Sequence, residues 1–114
     1  MTAVREVLIH AFDEDPAVVA GALRVARNAA QAMPGAIVQV VVQGIAVTGV
    51  AIDGGFDEDI AGTLAQGVHV TACGNSMQRA HLESSQMAPG VKIVPSAVAH
   101  LAERQWAGAA YIRV

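Results

Sequence analysis

Apolar and polar positions alternate along this chain in short blocks whose period keeps changing. Val4 to His10 is a compact apolar, β-branched run and reads as a first strand. Val18, Val19, Ala22, Leu23, Val25, Ala26 and Ala29 then recur at helical spacing, with Arg24 and Arg27 on the opposite side. Asp13 or Asp15 stands where a cap is needed, and Pro16 suits an early helical position. Pro34-Gly35 stops that helix. Strand two is expected over Ala36 to Val42, ending at Gln43-Gly44. Ile45 to Ile52 has no clear period and is read as a short helical turn leading to the Gly54-Gly55 break. A helix from Asp57 to Gln66 feeds strand three, Val68 to Ala72. After Cys73 a tight turn is expected, then a helix over Met77 to Leu82. Pro89-Gly90 turns the chain into strand four, Val91 to Val94. Pro95-Ser96 opens a last helix to Trp106, which Gly108 ends before strand five, Ala109 to Val114.

Strands that alternate with helices imply βαβ units. The expected architecture is therefore an α/β fold of three layers, with a five-stranded, mainly parallel sheet covered on both faces. A length of 114 residues fits one domain over 1–114, with a core large enough to need no staples.

Composition adds two expectations. The chain is 54% hydrophobic and only 15% charged, against about 25% charged in ordinary soluble domains. So small a domain has little interior for that much apolar side chain, which points to a homo-oligomer. Asn28 to Ile52 carries no charge and at roughly 25 residues is long enough to span a bilayer. Its glutamines, Pro34 and glycines interrupt it, and Ile37 to Val42 suits a buried strand better, so no membrane association is expected. The net charge of −3 and the absence of any lysine or arginine run argue against a nucleic-acid partner. Asp13-Glu14-Asp15 and Asp57-Glu58-Asp59 are read as acidic first turns of helices rather than metal sites. No metal site and no cofactor motif are expected. The residues Met1 to Glu6 do not resemble an export signal, and a free thiol suits the cytoplasm.

The candidate chemistry centres on the one cysteine. Cys73 closes a strand and precedes a helix, so its sulfur faces the positive end of a helix dipole and unpaired N–H groups. Both favour thiolate, the reactive form. Gly74 lets the backbone turn tightly, and Asn75 or Ser76 caps the helix or donates to a bound anion, capping being the favoured role. Ligands of open α/β sheets bind at the carboxyl ends of strands. Gly44 and His10 stand at such ends and are taken as neighbours of Cys73, His10 as a candidate base or thiolate partner. His69 is read as a satisfied core or interface residue, and His81 and His100 as exposed helical positions.

Three activities fit this pattern. Cys73 transfers a group as a nucleophile; or it is packed beside the pocket of a non-catalytic ligand-binding or assembly module; or it belongs to a cysteine phosphatase. The last rests on the five residues that separate Cys73 from Arg79, a spacing that resembles the phosphate loop of those enzymes. Ala80 stands where they generally carry Ser or Thr.

Cys73-Gly74-Asn75-Ser76-Met77, followed by Pro89-Gly90-Val91 and Val94-Pro95-Ser96, resembles the DsrE/DsrF-like family, also called the YchN-like fold, and in particular its Cys-Gly-Asn branch. Gln105 to Ile112, Gly44-Ile45-Ala46-Val47 and Ala26-Arg27-Asn28 extend the resemblance over most of the chain. It implies a five-stranded parallel sheet between helices, assembled as trimers or hexamers. It also implies sulfur relay, in which a cysteine, here Cys73, accepts sulfane sulfur as a persulfide and passes it to a thiol of a partner protein. A chain with one cysteine cannot resolve a persulfide into an internal disulfide, so release requires another molecule.

Overall fold

Five strands, β1 (Glu6–Phe12), β2 (Ile37–Gln43), β3 (His69–Cys73), β4 (Lys92–Val94) and β5 (Ala110–Arg113), form one sheet in the order β4-β3-β2-β1-β5. Every pairing is parallel. The structure is a computed structural model that describes residues 5–114. Val4, where the sequence pattern starts strand one, lies outside the described residues, as do Met1, Thr2 and Ala3. Four helices, α1 (Val18–Ala32), α2 (Asp57–Ala65), α3 (Gly74–Arg79) and α4 (Ala97–Trp106), lie on the two faces of the sheet. The architecture is the expected three-layer α/β one.

The two faces differ in chemistry because each central strand alternates with period two. Ile9, Ala11, Val38, Val40, Val42, Val70 and Ala72 point to one face, against Val19, Ala22, Leu23 and Ala26 of α1, Ile60 of α2 and Met77 of α3. Each large side chain buried there contributes roughly 1.5–3 kcal/mol. The opposite face has a much smaller apolar cluster, Leu8, Val41 and Cys73 against Ala97 and Leu101 of α4. Polar residues fill the rest of it. Arg104 of α4 donates from Nε and Nη2 to the buried Glu6 carboxylate at 2.9 and 2.6 Å. Gln39 donates to the other Glu6 oxygen at 3.2 Å, and its own carbonyl oxygen accepts from Thr71 at 2.7 Å and from His100 at 2.8 Å. Among the described residues no buried side-chain nitrogen or oxygen lacks a partner. The fourth helix is therefore docked by a satisfied polar network as much as by hydrophobic contact.

Several boundaries differ from the sequence reading. The first three strands run one or two residues further, to Phe12, Gln43 and Cys73. No turn separates β3 from α3, which begins at Gly74 and ends at Arg79, short of Leu82. His81 is not helical: its φ of 57° places it just past the helix end. His100 is half-buried rather than exposed, through its bond to Gln39. His69 opens β3, half-buried, with Nδ1 3.3 Å from Lys92 Nζ. The Asp13 to Asp15 patch forms turns ahead of α1 instead of its first turn: Asp13 accepts from the Asp15 N–H and Asp15 from the Ala17 N–H, each at 2.9 Å. Asp57, Glu58 and Asp59 do form the first turn of α2. Gly44–Val50 is a 3-10 helix, in line with the helical turn expected there. Ser96 caps α4, accepting from the Ala99 N–H at 3.2 Å.

Candidate functional site

Chain topology creates a crevice at the carboxyl end of the sheet. The connections from β1 through to β4 pack on the apolar face, whereas α4 carries the chain back across the opposite face to β5 at the far edge. The segments leaving β3 and β4 therefore diverge, and in open α/β sheets ligands bind at such a switch point. An open pocket of about 1060 Å³ lies there, lined among others by Gln43, Gly44, Cys73, Ser76, Arg79 and Ala97.

Cys73 forms part of the pocket wall and is only 2% exposed. Burial pushes its thiol pKa up. Hydrogen-bond donors pull it down and prevail: the Ser76 hydroxyl first, then the backbone N–H groups of Ser76 and Ala97 and, last, that of Asn75, which is shared with the Pro95 carbonyl. The net shift is below the ordinary thiol value, because these donors are satisfied by the anion and wasted on the thiol. The Ala97 N–H, first in α4, donates to Sγ at 3.4 Å. The starts of two helices, α3 and α4, thus meet at one sulfur atom.

Ser76 has two partners. Its Oγ accepts the Gly44 N–H at 2.8 Å, which leaves the hydroxyl proton free for the sulfur. Neither it nor Asn75 caps α3, contrary to the role favoured from sequence. The helix starts at Gly74, one residue after the strand, so both side chains fall inside it and point outwards to the pocket. Gly44 has a φ of 72°, and a Cβ there would fall 2.8 Å from the Phe12 ring. Gly74 lets β3 and β4 exit close together: its Cβ would lie 3.0 Å from the Val94 carbonyl oxygen, and the Asn75 N–H donates to the Pro95 carbonyl at 3.1 Å.

Cys73, Gly44, Asn75 and Ser76 line the same pocket, with Gly74 in the backbone that joins them. His10 does not line it. It lies inside β1, two residues before the strand's end, buried, with Nδ1 2.6 Å from the Tyr111 hydroxyl and Nε2 2.8 Å from Gln43 Oε1. Burial lowers its pKa; the Gln43 bond raises it and the charge of Arg113 lowers it, with a net shift downwards. His10 is thus held from the thiol by Gln43. In the sequence Gln43 marks only the end of a strand, a polar side chain beside Gly44, with no further signal of its role. Ala97 was equally invisible, because its contribution is a main-chain N–H.

Arg79 reaches the pocket, but the five residues before it are wound into α3. A phosphate-cradling loop directs those N–H groups at the ligand, whereas here the Asn75 N–H donates to the Pro95 carbonyl at 3.1 Å. The geometry disfavours the phosphatase reading. Among the described residues no cluster of three His, Cys, Asp or Glu side chains is placed to hold a metal ion, and no helix is long and apolar enough to cross a membrane.

No protein-family model matches the chain, and no curated protein matches it. Solved structures do. A protein of unknown function from Methanobacterium thermoautotrophicum superposes with a TM-score of 0.88 at 27% identity, over 97% of this chain and 99% of that one. The YchN protein from E. coli gives 0.73 at 14% identity, over 99% and 100% of the two chains. A conserved protein of unknown function from Bacteroides thetaiotaomicron gives 0.74 at 17% identity, over 96% and 94%. The fold is YchN-like.

Proposed function

We propose that this chain is a sulfur carrier of the DsrE type, from the Cys-Gly-Asn branch, which takes up sulfane sulfur as a persulfide on Cys73. The observation that carries this reading is the convergence of the Ser76 hydroxyl and the Ser76 and Ala97 N–H groups on a sulfur atom in a pocket wall. Such a setting lowers the thiol pKa and so raises the fraction present as thiolate, which is the nucleophile. In loading, the Cys73 thiolate attacks the outer sulfur of a donor persulfide. The donor's S–S bond breaks as the new one forms, and the donor leaves as a thiolate. The electron count is unchanged, so no oxidant is needed. Delivery repeats the step, with a thiolate of a partner protein as the attacker. Asn75, Ser76 and Gly44 shape the pocket around the transferred atom, with Gly74 permitting the close turn. The whole of 1–114 acts as one DsrE-like domain in the cytoplasm, as a trimer or hexamer.

The test is intact-mass analysis after exposure to inorganic polysulfide. The protein is expected to gain the mass of one sulfur atom, removable by dithiothreitol and absent in Cys73→Ser. Absence of any adduct across the pH range of thiol ionisation contradicts the proposal.

One observation favours a second reading, a small-ligand-binding module in which Cys73 is a packed wall residue: the residue's 2% exposure. Native-state alkylation by iodoacetamide separates the two. Slow labelling, with ligand binding intact in Cys73→Ser, selects the module.

A further inference from the structure

Gln43 is held from behind. Gln43 Oε1 can only accept, so the imidazole proton of His10 lies on Nε2, and Nδ1 accepts from the Tyr111 hydroxyl at 2.6 Å. Nε2 in turn donates to Gln43 Oε1 at 2.8 Å. With its oxygen committed to His10, the Gln43 amide turns its NH2 group the other way, and Gln43 lines the pocket. Among the described residues that NH2 makes no hydrogen bond to protein.

Register puts this donor next to the sulfur. Val42 pairs with Ala72, Phe12 with Gln43 and Cys73 with Val94. Phe12, Gln43, Cys73 and Val94 thus form one row across the rim, on the sheet face that α4 covers. Adjacent strands are about 4.8 Å apart, so a small group bonded to or resting on the Cys73 sulfur is within reach of the Gln43 amide. The donors to the sulfur itself come from Ser76 and the start of α4. They do not use Gln43, which remains for whatever sits beyond the sulfur. Asp13 and Glu14 line the same pocket together with Arg79, so its charged side chains come close to balance and disfavour a polyanion more than a small group of single negative charge.

We infer that Gln43 is a hydrogen-bond donor to a small anionic group seated beside the Cys73 sulfur, with His10 and Tyr111 as the residues that position it. The identity of that group rests on the sulfur-carrier reading: it is the terminal sulfur of the Cys73 persulfide, which carries the negative charge after loading. Tyr111, His10 and Gln43 form a hydrogen-bonded chain that reaches the pocket from the opposite edge of the sheet. The amide favours an anionic acceptor through a hydrogen bond, beside the one cationic side chain of the pocket wall, Arg79.

The test compares alkylation of Cys73 by iodoacetate and by iodoacetamide, reagents alike in size and leaving group that differ by a carboxylate. Sulfur loading by polysulfide is measured alongside. Gln43→Met keeps the shape and removes the donor. It is expected to lower the iodoacetate-to-iodoacetamide rate ratio, and the loading rate, by about tenfold, as for loss of a hydrogen bond to a charged group, with the iodoacetamide rate nearly unchanged. Tyr111→Phe keeps Gln43 but removes the Nδ1 partner that holds the His10 ring, so the ring and the amide bonded to it can turn. It is expected to lower the same ratio by a smaller factor, and it carries the test alone if Gln43→Met does not fold. An unchanged ratio, or an equal fall with both reagents, overturns the inference. A fallen ratio in a protein that takes up no sulfur sustains Gln43 as the donor and removes the sulfur reading. Normal loading with an unchanged ratio does the reverse.

Discussion

Ser76 links the two strand ends that make the site, accepting from Gly44 after β2 and donating to Cys73 at the end of β3. Its removal should therefore have two separable effects. In Ser76→Ala the Cys73 thiolate loses its strongest donor. The pH midpoint of iodoacetamide alkylation should move up, towards the free thiol value of about 8.5. The sign follows from the causes: burial raises this pKa, and only the donors hold it down. The same variant leaves the Gly44 N–H unpaired, and should lose about 1–3 kcal/mol in urea unfolding. A midpoint that does not move would mean that the backbone N–H groups suffice. The reactive position of Cys73 was legible because strand and helix patterns flank it. The role of Ser76 was not, because cap preference describes a serine just before a helix, and this one lies in its first turn.

At the scale of elements, the early end of α3 has a local cause. The helix α3 closes with the Leu82 N–H on the Met77 carbonyl at 2.9 Å and the His81 N–H on the Gln78 carbonyl at 3.1 Å. That is a Schellman closure, which needs a left-handed residue. His81 supplies it, at a φ of 57°. A glycine there would have marked the stop, as Gly108 marks the end of α4. His81 gave no such signal, so the helix was expected to run on to Leu82. His81→Gly should stabilise the protein by about 1 kcal/mol, since a side chain in that conformation is strained. Chemical denaturation measures it, and a destabilised variant would show that His81 makes compensating contacts. The polar docking of α4 was likewise hidden. Glu6 and Arg104 are far apart in sequence, and nothing local pairs them.

The whole molecule leaves apolar surface uncovered. All four residues of the edge strand β5 are exposed, Ile112 at 47%, and Trp106 at the end of α4 is 83% exposed. Unpaired edge strands with apolar side chains favour association. Sedimentation is expected to report a trimer or hexamer, and Ile112→Lys should shift it towards monomer with the circular dichroism spectrum unchanged. A wild-type protein that sediments as a monomer at all concentrations would refute the expectation.

Local patterning sufficed for element order, the α/β class and the place of the thiol between a strand and a helix, because periodicity and turn residues act over a few neighbours. Folding in three dimensions added what those neighbours do not carry. Strand order sets the switch point, and register sets Gln43 beside Cys73 while removing His10 from the pocket. The sulfur's acidity comes from N–H groups that the chain brings together from residues as far apart as 73 and 97. Hydrogen bonds act over a few ångströms of space, and no spacing along a chain encodes that distance directly.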